Sequence, residues 1–239
     1  MSKAITTTEN QYAIIGQLEG QSLTELLEEN FGPSGGVQPQ DLDRISVPTG
    51  GAKMWTVETV EGEESVKTIE GVIITHADRR AYYSTAYDGS NNPPDCSSDD
   101  GMIGTTVEGD TRLCKGCPFD QWGSKDGGRG KACSQRKNLL VLQGGELLPV
   151  VISVPPSSIA DMRKYITRLT KAGLGVSSVV TRLGLVGAQN DGGIKYSKID
   201  PVMVRRLEAE ELAAVRSYKT ALLPAFEQIG VDQQDTAME

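Results

Sequence analysis

Residues 66–75, VKTIEGVIIT, decide the fold class of this chain, because they form its strongest strand-favouring run. Val, Ile and Thr dominate this run, and branched side chains of this kind pack well on a pleated sheet. Weaker runs on both sides also predict strands, at residues 42–47, 53–60, 80–87, 138–142, 148–154, 176–186 and 194–199. The sequence therefore predicts a mainly β (α+β) protein.

Capping residues and apolar spacing predict three helices, at residues 22–31, 157–172 and 201–229. Ser157 or Ser158 is expected to cap the second helix, and Pro224 is expected to break the third. Several short strands with one crossing helix and a long insertion favour an OB-like small barrel. Another β-barrel or a β-sandwich remains open at this point.

The chain divides into three parts by composition. Residues 1–20 are polar without a clear period and predict a flexible N-terminal arm. Residues 21–206 predict the OB-like β domain, which carries an insertion at residues 88–137. Residues 207–239 predict a C-terminal helix followed by an acidic tail. About fifty residues without regular structure are not expected to persist in a compact domain unless something staples them.

All four cysteines lie in this insertion, with the spacing C-x17-C-x2-C-x15-C formed by Cys96, Cys114, Cys117 and Cys133. Two residues between Cys114 and Cys117 allow both sulfurs to reach one metal ion about 2.3 Å away. Four thiolates complete a tetrahedron, so the sequence predicts a structural Zn²⁺ site rather than a catalytic one. An iron–sulfur cluster uses the same ligands, and free thiols or a redox pair also remain open.

The net charge of −8 hides a sharp division along the chain. Residues 1–111 have a net charge of −13, residues 112–206 have +10, and residues 207–239 have −5. A basic central block indicates a polyanionic partner, and an acidic end suits contact with basic partner proteins. A solvated surface with uneven charge is the alternative explanation.

No apolar run approaches the roughly 18 residues that a membrane span requires. The start, MSKAITTTENQ, lacks the apolar core of a signal peptide. We therefore expect a cytoplasmic protein without a membrane partner. In a reducing compartment, four cysteines favour metal binding over disulfides.

The familiar catalytic motifs for nucleotide, metalloprotease and serine-hydrolase chemistry do not occur in this sequence. The one histidine, His76, lies in a predicted strand, where a structural role is expected. Asp95, Asp99 and Asp100 next to Cys96 predict an Asx-rich turn rather than a site for a hard metal ion. The sequence therefore favours a binding protein over an enzyme.

Residues 80–185 resemble a group of largely uncharacterised phage and mobile-element proteins. The motifs that carry the resemblance are Pro93-Pro94-Asp95-Cys96-Ser97-Ser98, Cys114-x-x-Cys117-Pro118, Trp122-Gly123-Ser124, Lys131-Ala132-Cys133, Leu148-Pro149 and Val154-Pro155-Pro156-Ser157-Ser158. The earlier Val47-Pro48-Thr49-Gly50-Gly51 also fits. The layout of this group is similar to phage single-stranded DNA-binding proteins, which place a cysteine-ligated zinc loop in or beside an OB-fold.

The resemblance implies a role in DNA replication or recombination of a bacteriophage or mobile element, in the cytoplasm of a bacterial host cell. It also implies that the acidic C-terminus recruits replication or recombination proteins. This chain departs from the better-known zinc-bearing members, since it has four cysteines and no histidine ligand. The resemblance therefore covers architecture and cysteine use, and not a binding site residue by residue.

Single strands are held by cations along the phosphates and by aromatic rings on which the bases stack. Trp122 and one of Tyr83 or Tyr87 are the predicted stacking residues. The predicted phosphate contacts are Lys125, Arg129, Lys131, Arg136, Lys137, Arg163, Lys164, Arg168 and Lys171. The predicted function is non-sequence-specific binding of single-stranded DNA. A zinc-stapled scaffold protein and an unrecognised enzyme such as a nuclease are the alternatives.

Overall fold

A computed structural model of the chain describes residues 12, 23–32, 38, 41–86, 92–126, 130–190, 192–227 and 229. The helices are α1 (Leu23–Phe31), α2 (Pro156–Lys171) and α3 (Ala209–Glu227). The strands are β1 (Arg44–Ser46), β2 (Trp55–Thr59), β3 (Gly62–Val66), β4 (Thr68–Tyr82), β5 (Cys96–Ser98), β6 (Ile103–Thr106), β7 (Thr111–Leu113), β8 (Cys133–Gln143), β9 (Val150–Val154), β10 (Val179–Gln189) and β11 (Lys195–Arg206). None of the helices in this part of the chain is long and apolar enough to cross a membrane.

Nine strands form one sheet, with the order β1-β9-β8-β4-β5-β6-β7 and with β10 joining β4 to β11. Strands β2 and β3 form a separate hairpin. The mainly β, α+β class is thus confirmed. The described strands do not close into a barrel, so the expected closed OB-like barrel is not found among them.

Strand β4 is the strand around which the main sheet is built. It is 15 residues long and pairs with β8, β10 and β5 along its length. Predicted as two strands, at 66–75 and 80–87, it is in fact a single strand of about 50 Å. Residues 68–75 of the run that decided the fold class therefore lie in the most connected strand of the sheet, and Val66 ends β3.

A β-bulge in β4 decides which side chains share a face. Between Ile73 and Thr75, the partner residue moves only from Val141 to Leu140. An extra residue shifts the alternation of faces by one position. His76 therefore joins the face that carries Ile73 in the first half of the strand. The residues of β4 on this face after the bulge are His76, Asp78, Arg80 and Tyr82.

Each face of the sheet has its own apolar core. The face covered by α2, called here the α2 face, buries Trp55, Ile73, Leu139, Ile152, Met162, Tyr165 and Leu183. The opposite face, called here the α3 face, buries Val72, Ile74, Leu140, Val215 and Tyr218. Tyr12, the only described residue of the predicted arm, and Ile229, the last residue of the predicted C-terminal helix, are also buried in this second core. The rest of the predicted arm and tail lies outside the described residues.

Helix α2 confirms the predicted crossing helix, although its cap differs from the prediction. Its N-cap is Pro155, which has extended backbone dihedrals and makes no side-chain capping hydrogen bond. Ser158 is fully buried, and its hydroxyl accepts a 3.0 Å hydrogen bond from the backbone N–H of Ile199. The serine that was expected to cap the helix therefore ties it to β11.

The cysteine-bearing insertion contains strands, contrary to the prediction. Strands β5, β6 and β7 extend the main sheet beyond the end of β4, and β8 begins at Cys133. Each of these three short strands has only three or four residues, and several of them are Ser, Thr or Gly. Such segments show too little alternation of apolar and polar residues to be recognised as strands in the sequence. The Asx turn is confirmed, because Asp100 Oδ1 accepts from the backbone N–H groups of Met102 at 2.7 Å and Ile103 at 2.9 Å.

The predicted C-terminal helix starts later than expected. Pro201 lies within β11, at the edge of the sheet, where proline is tolerated because it cannot donate a ladder hydrogen bond. Pro224 lies inside α3, which continues to Glu227, so the predicted break is wrong.

Glu211 fixes the start of α3. Its side chain is fully buried and accepts two hydrogen bonds from the Arg205 guanidinium, at 2.7 and 2.8 Å. It also accepts a 3.1 Å hydrogen bond from the backbone N–H of Glu208. The hydrogen bonds from Arg205 hold the pKa of Glu211 below its ordinary value, although burial opposes them.

We expect Glu211→Gln to lower the free energy of unfolding by about 2–3 kcal/mol at neutral pH. This is less than the ~3–5 kcal/mol for breaking a fully buried pair, because Arg205 keeps 24 % of its side chain exposed. Since the pKa of Glu211 is lower in the folded state, its carboxylate stabilises above the ordinary glutamate pKa of about 4.3. That contribution is lost as the pH falls through the folded-state pKa.

Urea unfolding between about pH 7 and about pH 3 tests this expectation. The difference between the wild type and Glu211→Gln should shrink as the pH falls, whereas the exposed neighbour variant Glu210→Gln should stay close to the wild type throughout. A difference that does not change with pH would contradict the role given to the carboxylate.

Candidate functional site

The four cysteines line one small cavity at the end of β4. Two of them begin strands on either side of that end, because Tyr82 of β4 pairs with Cys96 on one side and with Cys133 on the other. Cys114 and Cys117 reach the same cavity from the turn that follows β7. The cavity has a volume of about 20 Å³ and is called here the cysteine cavity.

The turn between Cys114 and Cys117 is tight. The backbone N–H of Cys117 donates to the carbonyl oxygen of Cys114 at 3.2 Å. Gly116 has a φ of 82°, a left-handed conformation that glycine adopts without strain. The N–H of Cys114 also donates to the carbonyl of Met102 at 2.8 Å, which fixes the turn to the strand start of β6.

Gly104 of β6 forms part of the cavity wall. A Cβ atom at this position would lie 2.9 Å from Sγ of Cys96 and 3.7 Å from Sγ of Cys114. The two sulfur atoms therefore lie against a stretch of backbone that has no room for a side chain. Any larger residue at position 104 would push into the cysteine cavity.

The sulfur atoms share the cavity without forming a ligand set. In the part of the chain that the structure describes, no three His, Cys, Asp or Glu side chains are arranged to hold a metal ion. The cavity volume nevertheless exceeds the roughly 10–15 Å³ that one water-sized sphere needs. Burial raises the pKa of Cys133 to about 12, and burial also raises the pKa of Cys96. The raised pKa values keep the thiols of Cys96 and Cys133 protonated at neutral pH, and a metal ion that binds there would have to displace their protons.

A stacked aromatic pair and a network of ion pairs lie beside the cysteine cavity. The rings of Tyr82 and Phe119 stack with centroids 4.0 Å apart and an interplanar angle of 15°. The Asp120 carboxylate pairs with Arg80 at 2.8 Å and with Lys131 at 2.9 Å. Burial acts to raise the pKa of Asp120, but hydrogen bonds from Lys131 and Arg80 outweigh it and lower the pKa. These contacts fix the turn that carries Phe119 and Asp120 to β4.

Trp122 is the predicted stacking residue that the structure leaves accessible. Its side chain is 80 % exposed, and Lys131 Nζ lies 5.9 Å from the centroid of its ring. Lys125 is exposed nearby. Tyr83 follows the end of β4, is half-buried and has an interaction partner. The other predicted residues of this region, Tyr87 and Arg129, lie outside the described residues.

Two predicted phosphate contacts in β8 are buried. Arg136 is 4 % exposed and lies on the α3 face, where it is the register partner of Arg79 in β4. The prediction that it contacts phosphate therefore does not fit. Lys137 is 6 % exposed and pairs with Asp78 at 2.7 Å on the α2 face. Both residues were predicted to lie at the end of a loop, but β8 starts at Cys133, five residues earlier than expected, and carries them into the sheet.

The remaining predicted cations lie on α2. Arg163, Lys164, Arg168 and Lys171 are all exposed. Lys164 makes a long ion pair with Asp161 at 3.8 Å. Arg163 and Lys171 line an open cavity of about 390 Å³ between α2 and strands β4 and β8, called here the α2 groove. Its other lining residues include His76, Asp78, Gln135, Lys137, Thr167 and Thr170.

Arg112 and Phe119, which lie in the loop that was predicted to hold the metal, line the cysteine cavity. Sequence reasoning missed Arg80 and Asp120 of the cysteine cavity, and it gave no site role to His76, Asp78 and Gln135 of the α2 groove. The sequence signal was the alternation of β4, in which every second residue from His76 onward lies on the α2 face. It could not be used, because the β-bulge that decides which residues lie on that face is not visible in the sequence. Comparisons with protein-family models, with curated proteins and with solved structures gave no match.

Proposed function

We propose that this protein binds single-stranded DNA without sequence specificity, in the replication or recombination module of a phage or mobile element. The observation that supports it most directly is the placement of an exposed ring, Trp122, beside Lys131 and next to a cavity lined by all four cysteines. An aromatic ring that is 80 % exposed offers a platform on which a base stacks.

A structural Zn²⁺ bound by Cys96, Cys114, Cys117 and Cys133 belongs to the same proposal. The donor set fits zinc, because four thiolates satisfy a tetrahedral ion and leave no position for water. The ion would hold the cysteine lobe, defined as residues 92–126 and 130–133, against the end of β4. An iron–sulfur cluster is the alternative cofactor, and its colour would distinguish it.

The cations that would follow the strand lie on the exposed side of helix α2 and on the cysteine lobe. They are Lys125, Lys131, Arg163, Lys164, Arg168 and Lys171. Stacking on a ring accepts every base, and cations contact only the phosphates, so this arrangement gives affinity without sequence preference. An OB-like barrel is not needed for it, since an open sheet face with a groove offers the same two elements. The acidic C-terminus remains the proposed contact for partner proteins.

Trp122→Ala should weaken binding to a labelled oligo-dT by about 1–3 kcal/mol, which is about 5-fold to 150-fold in Kd. Fluorescence anisotropy at several salt concentrations measures the affinity. The slope of log K against log salt should hardly change, because the ring contacts no phosphate.

Leu113→Ala is the matched control for this experiment, because Leu113 is a large apolar residue of the same lobe that is 70 % exposed. It should bind like the wild type. Equal losses for both variants would point to damage of the lobe rather than to stacking. Wild-type protein that fails to bind oligo-dT even at low salt would overturn the proposed function.

A zinc-stapled interaction or scaffold protein is the second candidate. Ile103 and Leu113 form a cross-strand pair on β6 and β7, and both side chains are at least half exposed at the edge of the sheet. Exposed apolar pairs of this kind suit contact with another protein. Absence of DNA binding would favour this candidate, and degradation of the oligonucleotide would favour a nuclease.

A further inference from the structure

We propose that the α2 groove is a phosphate-ester site that takes a phosphodiester of the bound single strand. The inference rests on the proposed function and makes it more specific: it assigns Arg163 and Lys171, two of the cations named there, to one concave site that holds a phosphodiester.

The groove has the size and shape of a binding site. Its volume of about 390 Å³ lies at the lower end of the range for small-molecule pockets, about 300–1,000 Å³. Helix α2 forms one wall with Arg163, Thr167 and Lys171, and β4 and β8 form the floor. The apolar contacts that hold the helix to the sheet, through Met162 and Leu169, also hold this wall in place.

The charges in the groove favour an anion. Lys137 pairs with Asp78 at 2.7 Å, so those two charges offset each other. Among the described residues no carboxylate pairs with Arg163 or Lys171, and both side chains are exposed at the mouth of the groove. Two uncompensated cations on one wall of a concave site concentrate positive potential there.

The floor of the groove also contains an unsatisfied polar atom. His76 Nδ1 is buried and has no hydrogen-bond partner among the described residues. Burial and the positive charge of Lys137 lower the pKa of His76, so the ring is neutral at physiological pH. A buried nitrogen without a partner costs free energy, which a ligand that reaches the floor could recover.

The groove is continuous with the cysteine lobe. Gln135, which lines the groove, pairs across the strands with Arg80, which lines the cysteine cavity. From His76 to Tyr82 the face extends for six residues of β4, about 20 Å. A single strand could therefore lie along this face, with bases near Trp122 and phosphates in the α2 groove.

Arg163→Ala and Lys171→Ala test the inference in the full-length protein with labelled oligo-dT. Each lost phosphate contact should lower the slope of log K against log salt by about 0.7, which corresponds to about eightfold weaker binding at roughly 50 mM salt. Arg216→Ala is the control, because Arg216 is an exposed arginine on α3, against the opposite face of the sheet. It should bind like the wild type.

Asp78→Asn gives a change in the opposite direction, which misfolding cannot imitate. It removes the carboxylate that neutralises Lys137 and should tighten binding severalfold, with a steeper salt dependence. If the wild type binds oligo-dT but all four variants bind equally well, the inference is wrong while the proposed function stands. If dTMP alone binds as tightly as the oligonucleotide, the groove is a nucleotide pocket and the assignment to a strand is wrong. If the wild type does not bind at all, both fail.

Discussion

Protein purified under reducing conditions should contain one zinc ion per chain, and Cys114→Ser should remove most of it. Cys114 is the buried cysteine of the four, so its loss leaves the other ligands around an incomplete site. Structural zinc contributes about 10–16 kcal/mol of apparent binding free energy to small domains. Metal analysis of purified protein, with limited proteolysis of the cysteine lobe, measures the effect.

Thr111→Ser is the control, because Thr111 is an exposed polar residue of β7 in the same lobe. It should keep the metal and resist proteolysis like the wild type. A colourless wild-type protein without zinc would show that the cysteines are free thiols. A brown protein that absorbs near 400 nm would identify an iron–sulfur cluster in place of zinc.

Trp55→Ala should lower the free energy of unfolding by about 4 kcal/mol, within the usual range for a buried aromatic side chain. Trp55 is 0 % exposed and lies in the core beneath α2. Its indole N–H donates to the carbonyl oxygen of Leu183 at 3.0 Å. The substitution therefore leaves both a cavity and a buried carbonyl without its partner. Urea unfolding followed by circular dichroism measures the change.

Two further variants test where this loss of stability comes from. Trp55→Phe keeps most of the packing but loses the hydrogen bond, so it should cost only part of the full effect, about 1–3 kcal/mol. Met54→Ala, at the half-exposed neighbour, should change stability by less than about 0.5 kcal/mol. A loss for Trp55→Ala that is no larger than the loss for Met54→Ala would contradict the position given to Trp55.

The strongest elements of the fold could be predicted from sequence because their signal is local. The branched residues of β4 and the apolar spacing of α2 both predict the observed element. The short strands β5 to β7 could not be predicted, since they exist only because β4 offers them an edge to pair with. Whether a sheet closes into a barrel likewise depends on the pairing of all its strands and not on a local pattern. The sequence therefore predicted a barrel where the described strands form an open sheet.

The candidate site shows the same limit. The four cysteines, which the spacing predicted to lie together, do line one cavity. Strand pairing and not the spacing alone places them there, because β5 and β8 put Cys96 and Cys133 on the two sides of Tyr82. Charge alone did not tell which face a basic residue occupies. Arg136 and Lys137 are neighbours, yet the pleat sends one to the α3 face and the other to the α2 groove. Only the register of β8 against β4 decides this.

The unequal pairing of β4 leads us to expect two cooperative units in the protein. Strand β5, through which β6 and β7 join the sheet, pairs only with residues 80–82 of β4. In contrast, β8 pairs with β4 from Gly71 to Tyr82, and β10 pairs with residues 68–71 next to the two apolar cores. Local opening can therefore release this edge while the enclosed part stays folded. Amide hydrogen exchange should be fast in β5 to β7 and slow around Val72 and Ile73. If the proposed zinc is present, a chelator should widen this gap rather than unfold the chain.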